Sequence, residues 1–212
     1  MKANYYLEIG VQSGDTFLNV DIQYKDAVDP EFSFDVHSYA NEYVRFFRQE
    51  SDKFWVSKNP RIYDIIFIDG LHTFEQTCRD IVASLVYSHP KTIWVIDDTM
   101  PSDIFSAIPD IRRSYIERSR AGLSGSPWHG DVFKVVPFIN DFMPNFSFAT
   151  FMDGGNPQTV LWREGRENFA PIFNNFESIS RFDYFNIADH AALFNFKSTV
   201  DIFNLLNNFG SV

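Results

Sequence analysis

Two short apolar runs, each closed by acids, organise the chain. Tyr63-Asp64-Ile65-Ile66-Phe67-Ile68 leads into Asp69-Gly70-Leu71-His72, and Ile93-Trp94-Val95-Ile96 leads into Asp97-Asp98. Runs of this length, bounded by turn residues, fit neighbouring strands buried on both faces of a parallel sheet. Asp69, His72, Asp97 and Asp98 then stand at the carboxyl ends of the strands. Ligands of open α/β sheets bind at that edge. Three carboxylates and an imidazole there point to a divalent metal and a general base.

The rest of the pattern supplies the partners of these strands. The chain opens with a strand, Tyr5 to Gly10, followed by a short helical stretch from Gly14 to about Val20. Ala27-Val28 predicts a brief second strand ending at Asp29-Pro30, and Tyr43 to Phe47 a third. The fourth covers Tyr63 to Asp69 and the fifth Thr92 to Asp98, with a helix over 73–88 between them on the stripe Phe74, Cys78, Ile81, Val82, Leu85. Further helices are expected over 103–121 and from Asp131 to about Met143. The Gly/Ser-rich stretch between them, Ser119 to Asp131, reads as a mobile loop beside the site. Phe146 to Met152 and Thr159 to Arg163, joined through Asp153-Gly154-Gly155-Asn156-Pro157, predict a terminal hairpin. Strands alternating with helices at these spacings mean βαβ units, hence a doubly wound, Rossmann-like α/β domain over 1–165. Residues 166–212, rich in Phe and Asn and helical in pattern, form either a packed C-terminal extension or a partner-binding surface.

Composition narrows the function. The 212 residues are 45% apolar, enough for one sizeable core. A net charge of −10, with a pI near 4.8, argues against a nucleic-acid partner. Arg112, Arg113, Arg118 and Arg120 are spread along one helix, as on a solvated face. The single cysteine, Cys78, excludes an intramolecular disulfide and sits on a core stripe. No signal-peptide core and no run of membrane-spanning length are seen, so the expectation is a soluble cytoplasmic protein. The 24 phenylalanines exceed what a small core holds easily, which makes a Phe-rich surface a candidate for homodimer contact or pocket lining.

Glu8-Ile9-Gly10-Val11-Gln12-Ser13-Gly14 places glycines where the first strand turns. Gly10 would let a ligand approach the backbone, Gly14 would allow tight packing, and Glu8 is an acid placed to attract a cationic group. The spacing departs from the Gly-x-Gly-x-x-Gly of dinucleotide sites. Asp29 stands where an acid would hydrogen-bond ribose hydroxyls, or simply end the strand. Ser51 and Asp52 follow the third strand, where a purine would lie, or cap a helix.

Taken in order, Tyr6-Leu7-Glu8-Ile9-Gly10-Val11, Val28-Asp29-Pro30, Phe67-Ile68-Asp69-Gly70-Leu71-His72, Val95-Ile96-Asp97-Asp98-Thr99-Met100-Pro101 and Trp128-His129-Gly130-Asp131-Val132-Phe133-Lys134 resemble class I S-adenosylmethionine-dependent methyltransferases. The branch is similar to the methyltransferase domain 24 family, near the macrolide-sugar O-methyltransferases and cephalosporin hydroxylase-like proteins, over about residues 5 to 165. The resemblance implies a seven-stranded sheet of order 3-2-1-4-5-7-6 whose last strand is antiparallel. It implies S-adenosyl-L-methionine in the pocket of Glu8, Gly10, Gly14 and Asp29. It further implies Mg²⁺ on Asp69, Asp97 and Asp98, with His72 as base. Many relatives carry a Gly-Gly turn where this chain has Ser88-His89-Pro90-Lys91.

The chemistry expected is in-line methyl transfer to a hydroxyl, on a sugar or sugar-bearing small molecule, with a metal lowering the hydroxyl pKa. His72 at a helix start is expected to have a lowered pKa and to be neutral. Trp128 is a candidate sugar platform and Asp131 a candidate cap for the helix after it. His129 reads as exposed loop, and Asp80 as a structural acid. Two other classes fit less of the pattern: a nucleotide-binding oxidoreductase, which would need the missing glycine motif, and a non-catalytic interaction protein using the Phe-rich tail. A metal-dependent hydrolase would leave the glycine turn and Asp29 unexplained.

Overall fold

The computed structural model describes residues 2–57, 61–153 and 155–210. In chain order its main elements are β1 (Tyr5–Ile9), β2 (Tyr24–Asp29), β3 (Val44–Arg48), α1 (Ser51–Trp55), β4 (Tyr63–Ile68), α2 (Phe74–Ser84), β5 (Ser88–Ile96), α3 (Ile111–Arg120), α4 (Val135–Phe142), β6 (Ser147–Phe151), β7 (Gln158–Trp162), α5 (Phe176–Ser180), α6 (Asn186–Asp189) and α7 (Thr199–Gly210). One sheet of order β3-β2-β1-β4-β5-β7-β6 contains all seven strands. The first five are parallel, and β7 pairs antiparallel with both β5 and β6.

Side chains alternate across this sheet with period two. Leu7, Ile9, Ile66, Ile68, Trp94 and Ile96 enter the main core with Phe54, Ile81, Val136 and Ile139. Tyr6, Ala27 and Phe67 face a second cluster with Phe17 and Phe32. Because β1 and β4 are covered on both faces, their apolar runs are nearly continuous. At the β5–β7–β6 end, α7 packs Ile202 and its neighbours onto Ile93, Ala149, Val160 and Trp162.

The tail joins the main core through Ile179, Phe182, Ile187, Leu193 and Phe194. The buried Asp141 carboxylate fastens its entry by accepting the backbone N–H groups of Ile172, Phe173 and Asn174 at 2.9, 2.7 and 2.9 Å. Phe176, Phe185 and Phe203 stay exposed. Among the described residues, no helix is long and apolar enough to cross a membrane.

Several elements differ from expectation. Residues 15–19 form turns, not a helix, because the Lys25 ammonium takes the carbonyls of Phe17 and Val20 at 2.8 and 3.0 Å and the chain reverses into β2. The helix expected over 73–88 stops at Ser84 and tightens into a 3₁₀ turn, Leu85–Tyr87. β5 begins at Ser88, and an irregular register opposite Tyr63 absorbs the His89-Pro90-Lys91 segment that was expected to be a turn. Helix 103–121 contracts to α3, since Pro109 disfavours helix at the residue before it and Asp110 caps the new start by accepting Arg113 N–H at 2.8 Å. The tail is only partly helical: 166–175 lacks helix, and Phe196 bridges to Thr150. Gly154 of the expected hairpin turn lies outside the described residues.

Candidate functional site

The sheet ladder runs past the strand ends and sets three tips side by side. Gly10 N–H donates to Val28 O at 2.9 Å, Asp69 N–H to Ile9 O at 2.8 Å, and Asp97 N–H to Ile68 O at 3.0 Å. Gly10 has φ +82°, and a Cβ there would lie 1.8 Å from the Asp69 carbonyl oxygen, so only glycine fits between these tips. Gly14 N–H closes the turn onto Val11 O at 2.7 Å.

Asp29 holds this turn. Its Oδ2 accepts Val11 and Gln12 N–H at 2.8 and 2.9 Å, and its Oδ1 accepts Glu31 N–H at 2.7 Å. Glu8 is 2% exposed, and its Oε2 accepts the Tyr6 hydroxyl at 2.5 Å. Burial, reinforced by the charges of Asp69 and Asp97 and opposed by Tyr6 and Lys25, raises its pKa to about 8. Near neutral pH Glu8 is thus chiefly a neutral acid, at the strand position from which an acid was expected to attract a cationic group. Ser51 and Asp52 lie on α1 and are tied to α2: Gln76 Nε2 donates to Ser51 Oγ and Asp52 Oδ1, both at 3.0 Å. Neither caps α1, whose N-cap is Glu50 without a side-chain bond.

Asp69, His72 and Asp98 converge, each offering an atom within 4.8 Å of the others. His72 Nδ1 faces Asp98 Oδ2 at 2.7 Å and the Trp128 carbonyl at 3.1 Å, two acceptors that require a proton on that nitrogen. His72 Nε2 lies 3.5 Å from Asp69 Oδ1. Burial opposes charge on the ring, but the hydrogen bonds and charges of Asp69 and Asp98 outweigh it and lift the His72 pKa to about 10. This reverses the expected lowering. The residue stands before the helix, with φ +36°, and the two carboxylates govern it more than the helix dipole does. Burial, then repulsion from Asp98, raises Asp69; burial with the charges of Asp69 and Asp98 raises Asp97 to about 7.

Asp97 is the expected ligand that stands outside the converging trio. Its Oδ1 accepts Asp98 N–H at 2.9 Å and Asn156 Nδ2 at 2.9 Å. Gln12, His72 and Asp98, at φ +42°, +36° and +59°, place left-handed strain on three loops of this one edge.

A fourth segment closes over His72. The Trp128 ring stacks on the imidazole with centroids 4.5 Å apart and planes 3° from parallel, while its Nε1 donates to Ile108 O at 2.9 Å. The face expected to carry a sugar is thereby occupied on one side. Gly130 has φ +60°, and a Cβ there would fall 1.7 Å from the His72 carbonyl oxygen. Asp131 Oδ1 accepts Phe74 N–H at 2.8 Å, so it caps α2 and not the helix that follows it, where it makes no cap bond.

These loops sit on a fold shared with known enzymes. Residues 7–99 match a family described as a methyltransferase domain. The match covers a little under half of the chain. The chain resembles cofactor-bound Rv0187 from MTB at 11% identity and TM-score 0.53, covering 78% of this chain and 75% of that one. It resembles the plantazolicin methyltransferase BpumL, solved with a desmethyl analogue and SAH, at 13% identity and TM-score 0.51, covering 76% of each chain. It also resembles an O-methyltransferase family protein from Burkholderia thailandensis at 14% identity and TM-score 0.51, covering 78% of this chain and 52% of that one. At such identities the likeness is one of fold. No curated protein matches the sequence.

Within this fold, the tips of β1, β4 and β5 bring Asp69, His72 and Asp98 together beside Gly10, with Asp97 turned toward Asn156, Glu8 buried on β1 and Asp29 behind the turn. Two site residues were missed. His129, read as exposed loop, is 8% exposed, and its Nε2 lies 2.9 Å from Asn156 Oδ1. Asn156 sits in a hairpin turn, where Asn is ordinary and gives no signal of its own.

Proposed function

We propose that the chain is an S-adenosylmethionine-dependent O-methyltransferase acting on a hydroxyl of a small molecule, in the first instance a sugar or sugar-bearing one. One observation carries this reading. The Gly10 turn touches the backbone of Asp69, whose carboxylate meets His72 and Asp98. A donor in the turn and an acceptor over the acids would then be neighbours, which an in-line displacement needs.

The residues fit both groups. The backbone cradle at Gly10 admits no side chain, and the buried Glu8 lies beside it. An ammonium docking there would favour the ionised form of Glu8. Adenosylmethionine, when bound, supplies the electrophilic methyl group. Asp69 and Asp98 carry the oxygen donors that a divalent cation such as Mg²⁺ prefers, with His72 alongside, and a cation held there would lower the pKa of an acceptor hydroxyl. Asp97 would contribute through the oxygen that Asn156 does not hold.

His72 is given its task by its surroundings. With the charges of Asp69 and Asp98 countered, its imidazole returns toward the ordinary 6.5. It keeps the Nδ1 proton on Asp98 and leaves Nε2 to take the proton of the acceptor. Trp128 holds the ring plane and keeps water from one face.

The test combines calorimetry with a turnover screen. Wild type and Asp98→Ala are titrated with adenosylmethionine, then offered hydroxylated sugars and glycosides with and without EDTA, following release of adenosylhomocysteine. Asp98→Ala is expected to keep cofactor affinity and lose about 10²-fold or more in turnover. Absence of adenosylmethionine binding, with thermal stabilisation by NAD instead, would replace this reading with an oxidoreductase.

A further inference from the structure

We propose that Asn156 is a positioning residue that sets the orientation of the Asp97–Asp98 pair, and that His129 in turn orients Asn156. The functional part of this inference rests on the methyl-transfer reading above; the clamp itself rests on geometry. Two adjacent carboxylates repel, and nothing in a strand end dictates where they point. The Asn156 amide nitrogen has two hydrogens, and it reaches both acids: Asp97 Oδ1 at 2.9 Å and Asp98 Oδ1 at 2.5 Å. Binding Oδ1 of Asp98 leaves Oδ2 for His72 Nδ1 at 2.7 Å. Binding Oδ1 of Asp97 fixes that carboxylate beside the trio formed by Asp69, His72 and Asp98 and leaves its Oδ2 clear of the amide.

An amide could flip and present oxygen to the acids, which would be repulsive. His129 prevents this. Its Nε2 lies 2.9 Å from Asn156 Oδ1, an acceptor, so Nε2 carries a proton. Its Nδ1 is buried with no hydrogen-bond partner among the described residues, and its Nε2 also lies 4.0 Å from Asp98 Oδ1, so the ring and the amide face the same acid. His129 is itself fixed, since its backbone N–H and that of Gly130 both donate to Ser106 O, at 2.9 and 3.0 Å. The order of support thus runs from Ser106 to His129, Asn156, Asp98 and His72. The hairpin turn and the 128–131 segment act together on the acids of β5.

Asn156 lies in an exposed turn, so its substitution leaves the core intact. The test uses the full chain, labelled with ¹⁵N-histidine, in wild type, Asn156→Ala, His129→Leu and His129→Gln, each first checked for an unchanged melting temperature. Long-range ¹H–¹⁵N spectra of metal-free wild type are expected to show His129 as one tautomer, protonated at the Nε2 that faces Asn156 Oδ1. Asn156→Ala is expected to release that tautomer into averaging. In parallel, MnCl₂ titrations are expected to show about a 10–100-fold weaker affinity for Asn156→Ala and His129→Leu, with adenosylmethionine affinity unchanged. His129→Gln, which keeps an N–H donor, is expected to retain Mn²⁺ affinity. Averaged or Nδ1-protonated His129 signals in wild type would overturn the clamp, as would wild-type Mn²⁺ affinity in Asn156→Ala. Failure of wild type to bind Mn²⁺ would instead remove the cation from the proposed function, and the tautomer spectra alone would then decide the clamp.

Discussion

Glu8→Gln tests the electrostatics of the site through stability alone. The wild-type acid is 2% exposed, and its pKa is raised from 4.5 to about 8, first by burial and then by Asp69 and Asp97. The sign follows from linkage. A carboxyl whose native pKa is raised stays protonated in the folded state after the unfolded chain has released its proton, so its contribution is whole below pH 4.5 and shrinks as pH climbs toward 8. One proton of difference is worth about 1.4 kcal/mol per pH unit, so roughly 3 kcal/mol disappears between pH 4.5 and 7. Gln does not titrate, has nearly the same shape, and its amide oxygen can still accept the Tyr6 hydroxyl. The variant should therefore match wild type near pH 4.5 and exceed it by roughly 3 kcal/mol at pH 7, which for a chain of this size raises the melting temperature by about 6–12 °C. Asp97 and His72 add slopes of the same sign, Asp97 up to about 7 and His72 from 6.5 to about 10, but both proteins share them, and the difference isolates Glu8. Urea unfolding followed by tryptophan fluorescence at pH 5, 6, 7 and 8 measures it. Two stability curves running parallel across that range would refute the reasoning.

Two further substitutions probe the loops and the tail. Gly130→Ala forces a Cβ onto the His72 carbonyl at φ +60° and should cost about 2–5 kcal/mol from left-handed strain and overpacking, read as a lower urea midpoint together with an altered Trp128 emission; an unchanged midpoint would contradict the close approach. Asp141→Ala leaves three backbone N–H groups of the tail without their acceptor and should cost about 3 kcal/mol or more, with faster tryptic cleavage at Arg166; equal cleavage rates would show that the apolar contacts alone hold the tail.

What the sequence disclosed follows from the range of the forces involved. The apolar runs of β4 and β5 are legible because strands covered on both faces need continuous apolar side chains, and their acids mark where the chain leaves the sheet. The hairpin was legible from its turn residues. The state of His72 was not, since its proton is held by Asp98 from the next strand tip and by the Trp128 carbonyl 56 residues along the chain. Asp131 looked like a cap for its own helix, yet it serves Phe74, 57 residues upstream. Asn156 reaches Asp97 across 59 residues. Local pattern cannot report such pairings, because the partners meet only after the sheet has ordered its strands. The shortening of α3 was in principle readable from Pro109, whose effect on the residue before it outweighs the helical spacing around it.

The contact of Gly130 with His72 also bears on when the chain becomes competent. Every acid of the site is synthesised before residue 100, but the surface that seats the imidazole and the amide that steers the β5 acids emerge from the ribosome later. A nascent chain halted before the last hairpin would already carry these carboxylates and the Trp128 indole, but not the Asn156 amide that bridges the two β5 acids. The bridge over the β5 acids therefore waits on the closing β-turn, made ahead of the tail that packs onto the main core.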